Sequence, residues 1–256
     1  MKAIILAAGY ATRLYPLTRN RPKALLPIQK KPIIDFIIDE LYSLTDINEI
    51  IIVSNDKFSP LFNNWLKERQ FRERIKVIND RTSSEKDRLG AVGDLDFVIK
   101  TEHINSDILV IAGDNIFNFN LTDFIQSSLK ISHVSIGVYD IGDLEESKKF
   151  GVVKIGENSY ITDFQEKPQT PSSNLIAVGI YFLPVVTLKF IDEYLNTQNS
   201  HDVLGHYIRW LLTRDGVRGH KFSGTWYDIG DIASYKKANR DFASLNYKST
   251  NPAFLI

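Results

Sequence analysis

Apolar residues recur along this chain with two alternating periods. Short β-branched runs at Lys2–Ala7, Glu49–Val53, Arg74–Ile78, Ile108–Ala112 and Val134–Val138 read as strands. Between them, Ile33, Ile34, Ile37, Ile38, Leu41 and Leu44 follow Pro32 at helical spacing, and proline suits the first turn of a helix. Phe58–Arg69, Leu89–Ile99 and Leu121–Ile131 carry the same pattern. The alternation predicts an α/β fold, a sheet with parallel strands and crossover helices that places ligands at the carboxyl ends of its strands.

After Tyr139 the pattern changes. Gly151–Ile155, Tyr160–Gln165 and Ile176–Leu183 are strand-like with short gaps, which predicts antiparallel or mixed additions to the sheet. Pro184 is expected to open a helix through Leu195, and Val203–Leu212 forms another. Val217–Phe222 and Trp226–Ile229 give two last strands, and Asp231 caps a final helix to about Leu245. No repeat, low-complexity tract or Pro/Gly/Ser linker breaks the chain, so residues 1–256 are expected to form a single domain.

Composition narrows the partners. Hydrophobic residues make up 43% and charged residues 24%, as in ordinary globular proteins. The 31 basic and 31 acidic residues balance, so no global field draws the chain to nucleic acid or to an anionic membrane, and a bound anion needs local cations. There is no cysteine, which removes disulfides, thiolate nucleophiles and thiolate metal sites. Only Lys2 precedes the first apolar run, which is too short for a signal peptide, and no run approaches the roughly 20 apolar residues of a membrane span. A cytoplasmic location is expected.

The chemistry begins where the first strand ends. Ala7, Ala8, Gly9 and Ala11 are small, which lets backbone N–H groups approach phosphate oxygens or a base, and Arg13 can fork onto two oxygens. Neither the P-loop spacing nor the three-glycine dinucleotide fingerprint is present. Ala11 still permits close approach, but its Cβ removes access to a positive φ there. Arg19, Arg21 and Lys23 join Arg13 in a stretch without any acid from Met1 to Ile34. Lys23, set among Pro22, Ala24, Leu25, Leu26 and Pro27, is the cation most plainly placed for function.

Two carboxylates complete the pattern. Asp114, in Ala112-Gly113-Asp114-Asn115, ends an apolar strand, and Asp228 lies in Trp226-Tyr227-Asp228-Ile229-Gly230. Hard oxygen ligands at such places suit Mg²⁺ bridging phosphates, which needs only one or two protein carboxylates. Trp226 stands two residues before Asp228, so in a strand both side chains face one side. Trp65 and Trp210 sit among apolar neighbours at helical spacing and are expected in the core. The histidines His103, His133, His201, His206 and His220 show no metal-ligand spacing and read as structural or surface residues.

These blocks resemble, in order, those of the sugar-1-phosphate nucleotidyltransferases, the group with glucose-1-phosphate thymidylyltransferase and mannose-1-phosphate guanylyltransferase. Gly9 to Thr18 stands for the pattern G-x-G-T-R-L-x-P-x-T, Pro22 to Pro27 for P-K-x-L-x-P, Gly113 to Asn115 for G-D-N, and Trp226 to Gly230 for W-x-D-x-G. Phe150 to Val153, Glu166-Lys167-Pro168 and Gly179-Ile180-Tyr181 resemble the sugar-binding segments, so the likeness spans nearly the whole chain.

The resemblance implies a Rossmann-like three-layer sandwich, with a mixed, mostly parallel central sheet and a small antiparallel acceptor-binding lobe. It implies a nucleotide-binding half over residues about 1–135 and an acceptor-binding half over about 136–256. Leu6, Ala8, Gly9, Tyr10, Ala11, Thr12, Arg13, Lys23, Arg88 and Gly90 would bind the nucleotide. Asp114 and Asp228 would hold Mg²⁺, acting with Arg13 and Lys23 in catalysis. Asn115, Gly151, Glu166, Lys167, Asn174, Tyr181 and Trp226 would contact the acceptor. The stretch Arg88 to Asp94 resembles the family's L-G-T-A-G segment but lacks the glutamine of the thymidylyltransferases, which leaves the base open.

The implied reaction joins an NTP to a sugar 1-phosphate and releases pyrophosphate. A phosphomonoester, with a second pKa of about 6, attacks without a general base, so cations and Mg²⁺ do the work. Two other readings stay open from the residues: a cytidylyltransferase acting on phosphocholine or another small alcohol phosphate, and a non-catalytic regulatory protein that binds nucleotide sugars. The sequence leaves the choice between monomer and homo-oligomer open.

Overall fold

The computed structural model describes residues 1–69, 72–197 and 200–244. In chain order the first elements are β1 (Lys2–Leu6), β2 (Pro27–Ile28), β3 (Lys31–Pro32), α1 (Ile33–Tyr42), β4 (Glu49–Ser54), α2 (Ser59–Lys67) and β5 (Ile75–Asn79). There follow α3 (Gly90–Thr101), β6 (Ile108–Ala112), β7 (Asn115–Phe117), α4 (Thr122–Ile131), β8 (Ser135–Asp140), α5 (Leu144–Ser147) and β9 (Gly151–Ile155). The chain closes with β10 (Ile161–Glu166), β11 (Leu175–Leu183), α6 (Lys189–Thr197), α7 (Leu204–Leu211), β12 (Arg218–Phe222), β13 (Trp226–Asp228) and α8 (Ile232–Ser244). The fold is α/β, with a mixed central sheet and small antiparallel pairs.

Contacts divide the chain into two compact units. One holds Met1–Ile4, Leu89–Ile111 and Phe119–Gly224; the other holds Ile5–Arg88, Ala112–Asn118 and Thr225–Ile256.

In the first unit β11 is the hub. Its second half pairs antiparallel with β6, from Ile180 opposite Ile111 to Leu183 opposite Ile108. Ile176 pairs with Val152 of β9, and β9 runs antiparallel to β10. The other edge of β11 pairs with β8, where the register shifts between Ala177 and Tyr181; Gly179 lies inside that shift at φ 69, a backbone state glycine adopts without steric cost. Parallel pairing of β12 with β8 extends the sheet. The antiparallel additions expected after Tyr139 are therefore present.

In the second unit β4 and β5 pair in parallel from Ile50 opposite Ile75 to Ser54 opposite Asn79. Helix α1 buries Ile33, Ile34, Phe36, Ile37, Ile38 and Leu41, each contributing about 1.5–3 kcal/mol by leaving water. Phe36 and Ile33 join Leu14, Leu26, Ile28, Ile116, Ile229, Ala238 and Phe242 in one core cluster. That cluster anchors the segments that carry the candidate chemistry, since Leu14, Ile116 and Ile229 stand next to Arg13, Asn115 and Asp228.

Two expectations about elements are corrected. Pro184 does not open a long helix: it is extended (φ −60, ψ 145), Val185–Thr187 makes a 3-10 turn, and α6 starts only at Lys189. The Thr187 hydroxyl donates to Pro184 O at 2.7 Å, an interaction that competes with a regular helical start. The strand read from Val134 begins at Ser135 and runs on to Asp140. The strand β7 went unread, because three residues after a turn are too few to show a period. Asp231 does cap α8, accepting from Ser234 N at 2.8 Å, whereas Leu245 lies outside the described residues.

Candidate active site

The loop after β1 is built entirely within the second unit. Ala7 N donates to Val53 O at 2.9 Å, so the chain leaves the sheet beside the end of β4. Buried Asn55 then fixes the loop: its Nδ2 donates to Ala8 O at 2.6 Å while its Oδ1 accepts from Phe58 N at 3.0 Å. Tyr10 is buried and its hydroxyl donates to Thr82 O at 3.3 Å. Asn55 and Thr82 were not singled out in the sequence; an asparagine just past a strand end was the available signal. Among the described residues, and apart from its two chain neighbours, no heavy atom lies within 4 Å of where a Cβ on Gly9 would stand, so that position faces open space.

Ala11 departs from expectation. It occupies the left-handed region (φ 49, ψ 46) that the swap for glycine was expected to disfavour. Two hydrogen bonds to its carbonyl hold it there, from Thr18 Oγ1 at 2.8 Å and Leu14 N at 3.0 Å. The tight turn delivers Thr12 and Arg13 to the surface while Leu14 is buried. Arg13 is exposed and, among the described residues, makes no ion pair; Arg19 lies over the Tyr15 ring at 5.9 Å.

Lys23 and Asp114 meet. Lys23 Nζ donates to Asp114 Oδ2 at 2.5 Å, with side chains 21% and 25% exposed. The approach depends on Gly113, whose N donates to Leu6 O at 2.9 Å and whose Cβ, if present, would stand 2.8 Å from that same oxygen. Asp228 is delivered by the antiparallel pair β7–β13, in which it sits directly opposite Asn115. Ile229 N donates to Asp114 O at 3.0 Å, tying the two aspartate-bearing segments together. Asn115 is buried; it donates to Asp114 Oδ1 at 3.1 Å and accepts from Trp226 Nε1 at 2.7 Å. Trp226 thus orients an amide that orients a carboxylate.

Among the described residues no group of three or more His, Asp and Glu side chains is placed to enclose a metal. Asp114 and Asp228 would offer hard carboxylate oxygens to an ion that takes its remaining ligands from water and phosphate, as Mg²⁺ does.

Arg88 in this unit pairs with Glu85 at 3.2 Å on the surface. Gly90 belongs to the other unit and opens α3 at φ 78. A Cβ on it would lie 2.6 Å from His201 O, and the N–H groups of Ala91 and Val92 donate to Asp202 O and His201 O at 3.3 and 3.0 Å. Those two amides are spent on the backbone, and the glycine serves a close chain crossing.

The first unit also holds most of the residues read as acceptor-binding. The Glu166 carboxylate lies between two glycines: a Cβ on Gly151 would stand 3.2 Å from Oε2 and one on Gly205 only 2.1 Å from it. Burial pushes the Glu166 carboxyl up from its ordinary range, with Lys167 and His206 pulling it back. Gly205 and His206 were missed in the sequence because they reach Glu166 only through packing of α7 on β10. Lys167 takes a left-handed φ of 46, donates its N–H to Phe150 O at 3.0 Å, and holds Nζ 4.0 Å from Glu166 Oε1. Strain of this kind, about 1–3 kcal/mol, is common where a side chain must be aimed. Asn174 accepts from Ile141 N at 3.1 Å, and Tyr181 is buried within β11 opposite Val110 and Ile136.

A sequence-family profile described as "Nucleotidyl transferase" matches residues 2–244. The bifunctional protein GlmU of Methanocaldococcus jannaschii is 31% identical over 241 residues, 94% of this chain and 54% of that protein. A bifunctional sugar-1-phosphate nucleotidylyltransferase/acetyltransferase of Sulfurisphaera tokodaii is 30% identical over 90% of this chain and 52% of its own length. This chain therefore spans about half the length of these two curated relatives. Among solved structures, a Bacillus anthracis protein described as a glucose-1-phosphate thymidylyltransferase superposes with a TM-score of 0.81 at 25% identity, covering 97% of each chain.

Proposed function

The chain belongs to the nucleotidyl transferase family, and from that premise we propose that it joins an NTP to a sugar 1-phosphate, yielding an NDP-sugar and pyrophosphate. The observation that carries the proposal is the ion pair of Lys23 with Asp114, on the segment whose pairing in β7–β13 sets Asp228 opposite Asn115.

A phosphate oxygen of the sugar 1-phosphate, already mostly a dianion at neutral pH, attacks the α-phosphorus of the NTP. The new P–O bond forms as the bond from the α-phosphorus to the bridging oxygen breaks, and pyrophosphate leaves with that electron pair. No proton must be removed from the nucleophile, which agrees with the lack of a cysteine and of any catalytic histidine requirement. The obstacle is repulsion between two polyanions. Arg13 and Lys23 offset it on the triphosphate, Lys167 on the acceptor phosphate, and Glu166 accepts from acceptor hydroxyls. Residues Leu6 to Thr12 give the nucleotide a close-fitting backbone wall. Asp114 and Asp228 would hold Mg²⁺, which supplies charge neutralisation at the transferring phosphoryl group when bound. No helix among the described residues is long and apolar enough to cross a membrane, and the proposal places the enzyme in the cytoplasm.

The test is pyrophosphate release from a panel of NTPs and sugar 1-phosphates with Mg²⁺. Turnover with at least one pair, lost in Asp114→Asn while the chain stays folded, is the expected result. A folded protein that turns over no pair, yet binds NDP-sugars, overturns it.

A further inference from the structure

The first unit contains a pocket that the proposed reaction does not use. It has a volume of about 150 Å³ and is lined by Ser127, Ser128, Ser135, Ser159, Arg218 and His220, together with Ile131 and Gly219. None of these residues belongs to the nucleotide, metal or acceptor sets.

Its construction follows from strand and helix periods. Arg218 and His220 alternate with Gly219 on β12, so both side chains share one face. On that face Phe124 of α4 packs edge-on against His220 with ring centroids 5.5 Å apart. The register of β12 on β8 puts Ser135 directly beside Arg218. From α4, Ser127 and Ser128 also belong to the lining.

The polar inventory points to an anion. The Arg218 guanidinium lies 5.2 Å over the Tyr160 ring and, among the described residues, pairs with no carboxylate. No acid lines the pocket; Asp123, the carboxylate that acts on His220, stands outside the lining. Burial holds the His220 imidazole below its ordinary pKa, so at neutral pH it is a neutral ring with one N–H to donate. Ser128 is 1% exposed and its Oγ is buried away from the pocket space, so it plays no part in binding there. The hydroxyl protons of Ser127 and Ser135 are engaged, donating to Phe124 O at 3.0 Å and His133 O at 3.2 Å. The Arg218 guanidinium and the His220 ring therefore line a space of about 150 Å³, roomy enough for a small ion, with no acid in its lining.

We propose that this pocket binds a small tetrahedral oxyanion, either inorganic phosphate or the phosphoryl end of a small phosphomonoester, with Arg218 as its counter-charge and His220 as a donor. The proposal stands independently of the reaction assigned above, because its residues and its readout are different.

The local reporter is the His220 imidazole, followed by proton–nitrogen NMR of the intact chain and assigned by the signal lost in His220→Gln. Inorganic phosphate at millimolar concentration is expected to shift that signal saturably, while chloride at matched ionic strength does not. Arg218→Met should weaken the phosphate constant by about tenfold or more. Lys23→Met should leave it unchanged, separating this pocket from the nucleotide residues. Glycerol phosphate acting as well as phosphate identifies a phosphoryl-end site, and phosphate alone identifies a free-ion site; both support the proposal. An unmoved His220 signal, an equal response to chloride, or a phosphate response that survives Arg218→Met overturns it.

Discussion

Lys23 and Asp114 form a half-buried ion pair at 2.5 Å that should show in stability and in turnover with opposite logic. Charged hydrogen bonds contribute about 1.5–3 kcal/mol, and exposure near a quarter for both partners argues for the lower end. For a chain of this size each kcal/mol shifts Tm by roughly 2–4 °C. Lys23→Met is therefore expected to lower Tm by about 3–6 °C, measured by calorimetry without nucleotide or divalent cation. Asp114→Asn should do the same by stranding the lysine. The double variant removes both charges, so it should recover about 1 kcal/mol relative to the sum of the singles, the signature of direct coupling. Turnover behaves differently. Each group acts on substrate or metal, and losing one preorganised charge costs about 10²–10³-fold in rate, which the partner's removal cannot restore. Strict additivity of the two Tm losses, or a Lys23→Met enzyme within about tenfold of wild type, would falsify this account.

Three further outcomes follow from the geometry. Gly113→Ala places a Cβ 2.8 Å from Leu6 O and 3.1 Å from Ala7 Cβ, so it should cost about 1–3 kcal/mol in chemical denaturation and reduce turnover by moving Asp114. Ala11→Gly relieves a left-handed alanine at φ 49; the relief of about 1–2 kcal/mol exceeds the entropy glycine adds to the unfolded chain, and Tm should rise by a few degrees with activity retained. Burial and neighbouring Asp39 push Glu40 up to about 7 from an ordinary 4.5, against the pull of Lys31. A carboxyl raised on folding stabilises while protonated: that contribution is whole below about 4.5 and lost as pH climbs to about 7. The Tm advantage of Glu40→Gln over wild type should therefore grow across that window and level off above it, and a flat difference would refute the assignment.

Local chemistry made much of this molecule legible in its sequence. The helical spacing from Ile33 to Leu41 and the β-branched run Ile108–Ala112 declare their elements because side-chain burial follows backbone period. The acid-free basic loop, the small residues before Arg13, and an aspartate at the end of an apolar strand also announce phosphate chemistry, since charge and side-chain size are properties of residues taken one at a time. Tertiary structure decided what depends on partners distant in sequence. Only the pairing of β7 with β13 sets Asp228 opposite Asn115, only the lack of a Cβ on Gly113 lets the Asp114 segment lie against Leu6, and only α7 brings Gly205 onto the Glu166 carboxylate. A left-handed Ala11 was likewise unreadable, because the hydrogen bonds that hold it come from the folded turn and outweigh the intrinsic preference of alanine. Sequence fixes what each residue can do, while distances, burial and strain arise only when the fold chooses each residue's neighbours.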